Sequence, residues 1–200
     1  MSSSLGFMGA GISGHLILPS SFESIATVSF ASNTNGNATF TSIPQTYKHL
    51  QLRVRANNLS APFVGNYNLY MNMNNDSNAN YTAHTMYSDL ASGNIAASDF
   101  NSNNSMNFQK ACLNSTSSTY SYFAYTIIDI YNYANTSMYK SAMSMSGGFD
   151  FTGNATSSSN NGASLDLNTW KSTSAITRLD LSCSYGAWGA GCSVSLYGIK

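Results

Sequence analysis

Charge is what this sequence has least of. Lys and Arg number 8 and Asp and Glu number 8, so ionic side chains make up 8% of the 200 residues and the net charge is zero; an average soluble domain carries roughly 25%. No Lys/Arg cluster occurs, so there is no basic field to draw in phosphate backbones or anionic bilayers, and neither nucleic acid nor membrane is expected as a partner. Solubility must rest on Ser, Thr and Asn. Weak self-repulsion suits either a polar extracellular protein or a subunit packed among identical copies. Cysteine is scarce too: Cys112, Cys183 and Cys192 are too few for a disulfide framework and lack metal-ligand spacing. Cys183 and Cys192 either meet across a hairpin or sit as small buried thiols.

Long apolar runs are also missing. The longest candidate, Leu5 to Leu18, is glycine-rich, follows no Lys or Arg, and falls short of the roughly 20 residues of a spanning helix. It reads as an N-terminal arm, residues 1–20, ahead of a single domain at 21–200. Leu5, Phe7, Met8, Ile12, Leu16 and Ile17 are the side chains such an arm would dock into a neighbouring subunit; the alternative is a loose tail. With 42% hydrophobic and 12% aromatic residues, the rest has enough apolar material for a packed core.

That material follows a two-residue rhythm. Leu50, Leu52, Val54 and Ala56 alternate with Gln51, Arg53 and Arg55, which puts the aliphatics on one face of a strand. Tyr67, Leu69, Met71 and Met73 repeat the pattern. Ala26 to Phe30 and Thr39 to Ile43 read as a strand and its return around Asn33-Thr34-Asn35-Gly36, stopped by Pro44. Tyr122 to Tyr131 is apolar on both parities, which predicts burial on both faces. Met138 to Met145, Ala175 to Cys183 and Cys192 to Ile199 complete the series, with Leu196 turned inward. No helical stripe with capping signals occurs. The expected fold is all-β, an antiparallel β-sandwich of jelly-roll type with roughly eight to ten strands.

Little chemistry survives inspection. Gly9-Ala10-Gly11-Ile12-Ser13-Gly14 matches a dinucleotide fingerprint, but no strand precedes it and Pro19 follows, so no cofactor is expected. His15, His49 and His84 are far apart, and the Asn-rich loop at Asp76 lacks the glycine and closing acid of a calcium loop, so no metal is expected. Asp129, Asp150, Asp166 and Asp180 form no acid pair, and no GxSxG elbow is present, which argues against an enzyme. Aromatic rings are the suggestive groups. Tyr131, Tyr133 and Tyr139 are assigned to an interface between subunits, where a ring buries large area at small entropic cost, and Tyr81, Tyr120 and Trp188 to stacking on a glycan.

Several stretches resemble a group of small virion structural proteins from tailed phages of marine and freshwater bacteria, cyanophages among them. They are Ile12-Ser13-Gly14-His15 leading to Ser24-Ile25-Ala26-Thr27-Val28; Ser42-Ile43-Pro44-Gln45-Thr46-Tyr47-Lys48-His49-Leu50-Gln51-Leu52-Arg53; Asn75-Asp76 with Asn80-Tyr81 and His84; Ile127-Ile128-Asp129-Ile130 through Tyr133-Ala134-Asn135-Thr136 to Tyr139-Lys140-Ser141; Trp170 with Ser174-Ala175-Ile176-Thr177; and Ser195-Leu196-Tyr197-Gly198-Ile199-Lys200. Ala91 to Asn107 departs from the pattern. The resemblance implies a sandwich-fold subunit on the surface of a phage particle, in head or tail, with no catalytic residues. The expected role is capsid decoration or cement: a symmetric homo-oligomer, with three copies favoured, bound to major capsid or tail proteins of the virion. The alternative is a tail fibre or spike that recognises host glycan.

Overall fold

The structure, a computed structural model, describes residues 21–58, 68–89, 94–114, 123–148, 162–184 and 187–200. These contain no α-helix. Their strands in chain order are β1 (Phe22–Ser29), β2 (Thr34–Asn35), β3 (Ala38–Phe40), β4 (His49–Asn58), β5 (Leu69–Met73), β6 (Tyr81–Asp89), β7 (Asn94–Asn103), β8 (Met106–Phe108), β9 (Leu113–Asn114), β10 (Ala124–Tyr131), β11 (Lys140–Gly148), β12 (Gly162–Trp170), β13 (Leu179–Cys183), β14 (Ala187–Trp188) and β15 (Ser193–Ile199).

Antiparallel pairs nest inside one another along the chain: β1 with β15, β3 with β13, β4 with β10, β5 with β8. Rolled up, this long hairpin deals its strands alternately into two sheets, β1-β15-β4-β10 and β3-β13-β5-β8. The result is a jelly-roll sandwich. Two further hairpins lengthen one sheet only. β6 and β7 are inserted between β5 and β8, β11 and β12 between β10 and β13, and the large sheet runs on as β10-β11-β12-β6-β7. β9 lies parallel to the end of β4, and β2 pairs with β14.

The core lies between the two sheets. Leu50, Leu52, Val54 and Ala56 of β4 all point inward, beside Ile128 and Ile130 of β10 and Val194 and Leu196 of β15. Leu69, Met71 and Met73 of β5 and Leu179 and Leu181 of β13 meet them from the small sheet. At one end Phe30 and Trp188 stack at 4.9 Å, and the indole Nε1 donates to the carbonyl of Gly36 at 3.0 Å. Gly198 is a close backbone approach on the terminal strand. A Cβ there would lie 2.4 Å from the Tyr47 ring.

The structure corrects the sequence reading in places. Ala26–Phe30 and Thr39–Ile43 are not partners: the chain around Gly36, at φ 126°, carries it from one sheet to the other, and Thr34–Asn35 itself forms β2. Met138 and Tyr139 precede β11 and are exposed. Most consequential, β10 is buried on one face only. Ala124, Thr126, Ile128 and Ile130 are inside, whereas Tyr125 and Ile127 face out.

Two stability outcomes follow from this packing. Ile128→Ala should cost about 2–5 kcal/mol in urea unfolding, as for a buried aliphatic, while Ile127→Ala on the same strand should change a dilute sample by less than about 0.5 kcal/mol. Gly198→Ala should cost about 1–3 kcal/mol, because the Tyr47 ring must move off a filled site.

Candidate interaction surface

β8 is the last strand of the small sheet, and its free edge is closed by side chains instead of a backbone. The Asn168 amide of β12 accepts the Asn107 N–H at 2.9 Å and donates to the Asn107 carbonyl at 3.0 Å. Asp166 accepts the Gln109 N–H at 3.2 Å, and the Ser164 hydroxyl donates to the Gln109 carbonyl. The second oxygen of Asp166 accepts the Ser144 hydroxyl at 2.9 Å, and Ser164 Oγ, whose proton goes to Gln109, lies 2.9 Å from it as well. Unpaired edge groups buried in a sandwich are costly, so this side-chain ladder is what lets β8 lie inside. Burial pushes the Asp166 carboxyl above its usual range, against the hydrogen bonds from Ser144 and Gln109 that pull it down.

Because strand residues alternate sides, a polar inner row forces the intervening residues outward. In β12, Ser164, Asp166 and Asn168 are buried and Leu165 and Leu167 face out; in β11, Ser144 and Ser146 are buried and Met145 faces out. Over Ser144–Ser146 and Ser164–Asn168 the added sheet is thus inverted, with polar groups inside and apolar ones on the surface.

Register places the outward side chains in rows across the strands. One row runs Arg53, Ile127, Met145, Leu165, Met86, Ala97 over β4, β10, β11, β12, β6 and β7. The next runs Gln51, Asp129, Met143, Leu167, His84, Asp99, and on the other side Arg55, Tyr125, Gly147, Ala163. Ile95 adds an apolar corner on β7. Ile127, Met145, Leu165, Leu167, Met86 and Ile95 are between 41% and 76% exposed. Scattered exposed aliphatics are ordinary, but a contiguous patch across neighbouring strands marks an interaction surface.

Polar groups rim the patch. Gln51 Nε2 donates to Asp129 at 2.8 Å, His84 Nδ1 lies 2.6 Å from Asp99, and Arg53 and Arg55 lie over the rings of Tyr197 and Phe123 at 4.8 and 3.8 Å.

Sequence reasoning missed most of this surface. It named Tyr131, which is exposed in an outer row, and Tyr139, exposed in the turn before β11. It also named Tyr133 as an interface ring, but Tyr133 is fully buried, accepting the Tyr47 N–H at 3.3 Å and donating to the Pro44 carbonyl. Tyr81 and Trp188, assigned to glycan, are fully buried as well. Tyr81 takes the Met73 N–H at 3.0 Å and donates to the Asp76 carbonyl at 2.9 Å. A ring without exposed area has no face to offer a sugar. Tyr120 and the arm residues Leu5, Phe7, Met8, Ile12, Leu16 and Ile17 lie outside the described residues.

The other candidate groups have structural tasks. Cys183 lies 3.2 Å from Cys112, not against Cys192, and all three side chains are buried. No group of three His, Cys, Asp or Glu gathers to hold a metal among the described residues. At Asp76 the donors are the protein's own: its carboxylate accepts Asn78 N–H at 3.0 Å, the Asn78 and Asn80 amides at 2.8 Å, and Trp170 Nε1 at 2.7 Å. Burial alone would raise this acid, yet the Asn80, Trp170 and Asn78 hydrogen bonds bring it down to about 2.

No family model matches the chain, and neither a curated protein nor a solved structure matches it.

Since Asp76 titrates lower folded than its ordinary 3.8, its contribution is complete above that value and is lost as pH falls toward 2. Asp76→Asn should therefore cost up to about 2 kcal/mol at neutral pH. In urea unfolding followed against pH, the gap between variant and parent should close below pH 3.8; a gap independent of pH would contradict the assignment.

Proposed function

We propose that this chain is a non-catalytic structural subunit of a tailed-phage particle, of the capsid decoration or cement type, that acts by burying its surface against other protein copies. The observation that carries the reading is the inverted centre of the large sheet: β11 and β12 turn Ser144, Ser146, Ser164, Asp166 and Asn168 to the core and Met145, Leu165 and Leu167 to the outside, beside the exposed Ile127 of β10 and Met86 of β6. Each such side chain left in water forgoes about 1.5–3 kcal/mol of burial, which a protein partner would supply.

Other features support the same reading. The jelly roll recurs in viral capsid and lectin domains, although a fold by itself does not assign a function. The low, balanced charge allows close approach of identical copies. Asp76, Asp166 and Asp180 have their oxygens engaged by Asn, Trp, Ser, Thr and Arg donors, which leaves them poorly placed for proton transfer. The partners in this reading are other copies of the chain and the major capsid or tail proteins, and its place is the virion surface. Adhesion across coat subunits would then resist the internal pressure of packaged DNA. The fibre or spike reading is weakened, since two of the three rings it relied on are in the core.

Gradient-purified particles should contain the protein by mass spectrometry, and particles assembled without it should lose DNA at lower temperature while adsorbing to host normally. Absence from particles would sink the proposal. Normal heat resistance with failed adsorption would transfer the chain to the fibre class.

A further inference from the structure

We propose that the outer face of the large sheet is closed by a second copy of this chain, packed face to face about a two-fold axis that runs parallel to the strands between β11 and β12. The inference rests on reading that face as adhesive and names its occupant. A rotation about such an axis keeps every row in register and exchanges strands across the centre: β11 with β12, β10 with β6, β4 with β7.

The chemistry of the rows fits this exchange. In one row Met145 falls over Leu165 of the second copy and Ile127 over Met86, so apolar meets apolar. In the next, Met143 falls over Leu167, the Asp129 carboxylate over the His84 imidazole, and the Gln51 amide over the Asp99 carboxylate. Arg53, at the margin, comes near Asp99 as well. The other two-fold that stacks the sheets face to face, with its axis across the strands, keeps each strand over itself and exchanges the rows. With that axis between these two rows it would set Asp129 on Ile127 and His84 on Met86, burying charge against hydrocarbon. Charge placement thus selects one packing of the two.

Size agrees as well. The six strands that overlap under this rotation, β4, β10, β11, β12, β6 and β7, span ~29 Å at ~4.8 Å spacing, and seven residues at ~3.3 Å give ~23 Å along the strands. That face of roughly 660 Å² lies within the ~600–1,000 Å² each partner contributes to a standard stable interface. The contact is isologous, so it joins copies in twos; a three-fold particle would need a second interface elsewhere.

Analytical ultracentrifugation of the full chain over a range of concentrations should show a dimer that dissociates on dilution. Met145→Lys with Leu165→Lys, placing like charges at the axis on positions already exposed, should weaken it at least 100-fold with an unchanged circular dichroism spectrum. Asp129→Asn separates the two packings: it should weaken the dimer here and tighten it if Asp129 lay on Ile127. The double variant Ile127→Cys/Met86→Cys should be joined between copies by a short bis-maleimide, because within one chain these positions are three strand spacings apart, ~14 Å, and the native thiols are buried.

A monomer at every concentration overturns the proposal, including one whose face is covered by its own residues 1–20. So does a dimer indifferent to the lysine pair, or one tightened by Asp129→Asn. These outcomes are read on purified protein and are independent of whether the chain is found in virions.

Discussion

The hydrogen bonds by which Ser164, Asp166 and Asn168 close the free edge of β8 decide the character of the molecule. An edge strand inside a sandwich has N–H and C=O groups that must be satisfied, and among the described residues no further strand lies beside β8 to do so. Side chains from the large sheet perform that task, and only the inward parity of β12 can reach. A slip of one residue would bring Leu165 and Leu167 inside and strand the Asn107 and Gln109 backbone without partners. Register, core polarity and surface polarity are therefore fixed by one set of contacts.

The eight strands of the jelly roll and the four added strands divide the work. Within the roll, β4, β10 and β15 face β5 and β13 with aliphatic side chains on both walls, the ordinary source of sandwich stability. In the addition, stability comes from hydrogen-bonded polar groups, whose net contribution is small once the exchange with water is counted. Tyr81, Ala142 and Trp170 of the addition pack into the core, but Met86, Met145, Leu165 and Leu167 are left outside, where in an isolated chain they contribute little. The proposed association would complete their burial.

Strand rhythm was legible in the sequence wherever aliphatics and polar residues separated cleanly. Leu50 to Ala56 and Ser195 to Ile199 lie as their alternation indicates, and the nested pairing yields the jelly roll that their number and spacing suggest. Period two tells that a strand has two unlike faces and not which of them is inside. In Ser164-Leu165-Asp166-Leu167-Asn168 the usual assumption sends leucine inward, and only the open edge of β8 reverses it; that edge depends on contacts 55 to 61 residues away in sequence. The aromatic residues misled for a related reason. Tyr81, Tyr133 and Trp188 carry polar tips that reach backbone partners, and a ring so satisfied packs in the core as readily as at an interface.

The low charge of the chain takes on a positional meaning once the rows are known. Arg53, Arg55, Asp129, His84 and Asp99 all stand on the outer face at its margins, while the rows between them over β11 and β12 carry none. Charges scattered through that centre would keep single copies apart, and a wholly apolar face would stick without orientation. A neutral centre bounded by ionic groups of both signs does neither: burial supplies the attraction, and the flanking charges admit one relative rotation and penalise the other. In the proposed dimer, specificity would then need no loop or ligand, only the two faces of these strands and the edge of β8 that decides which face looks out.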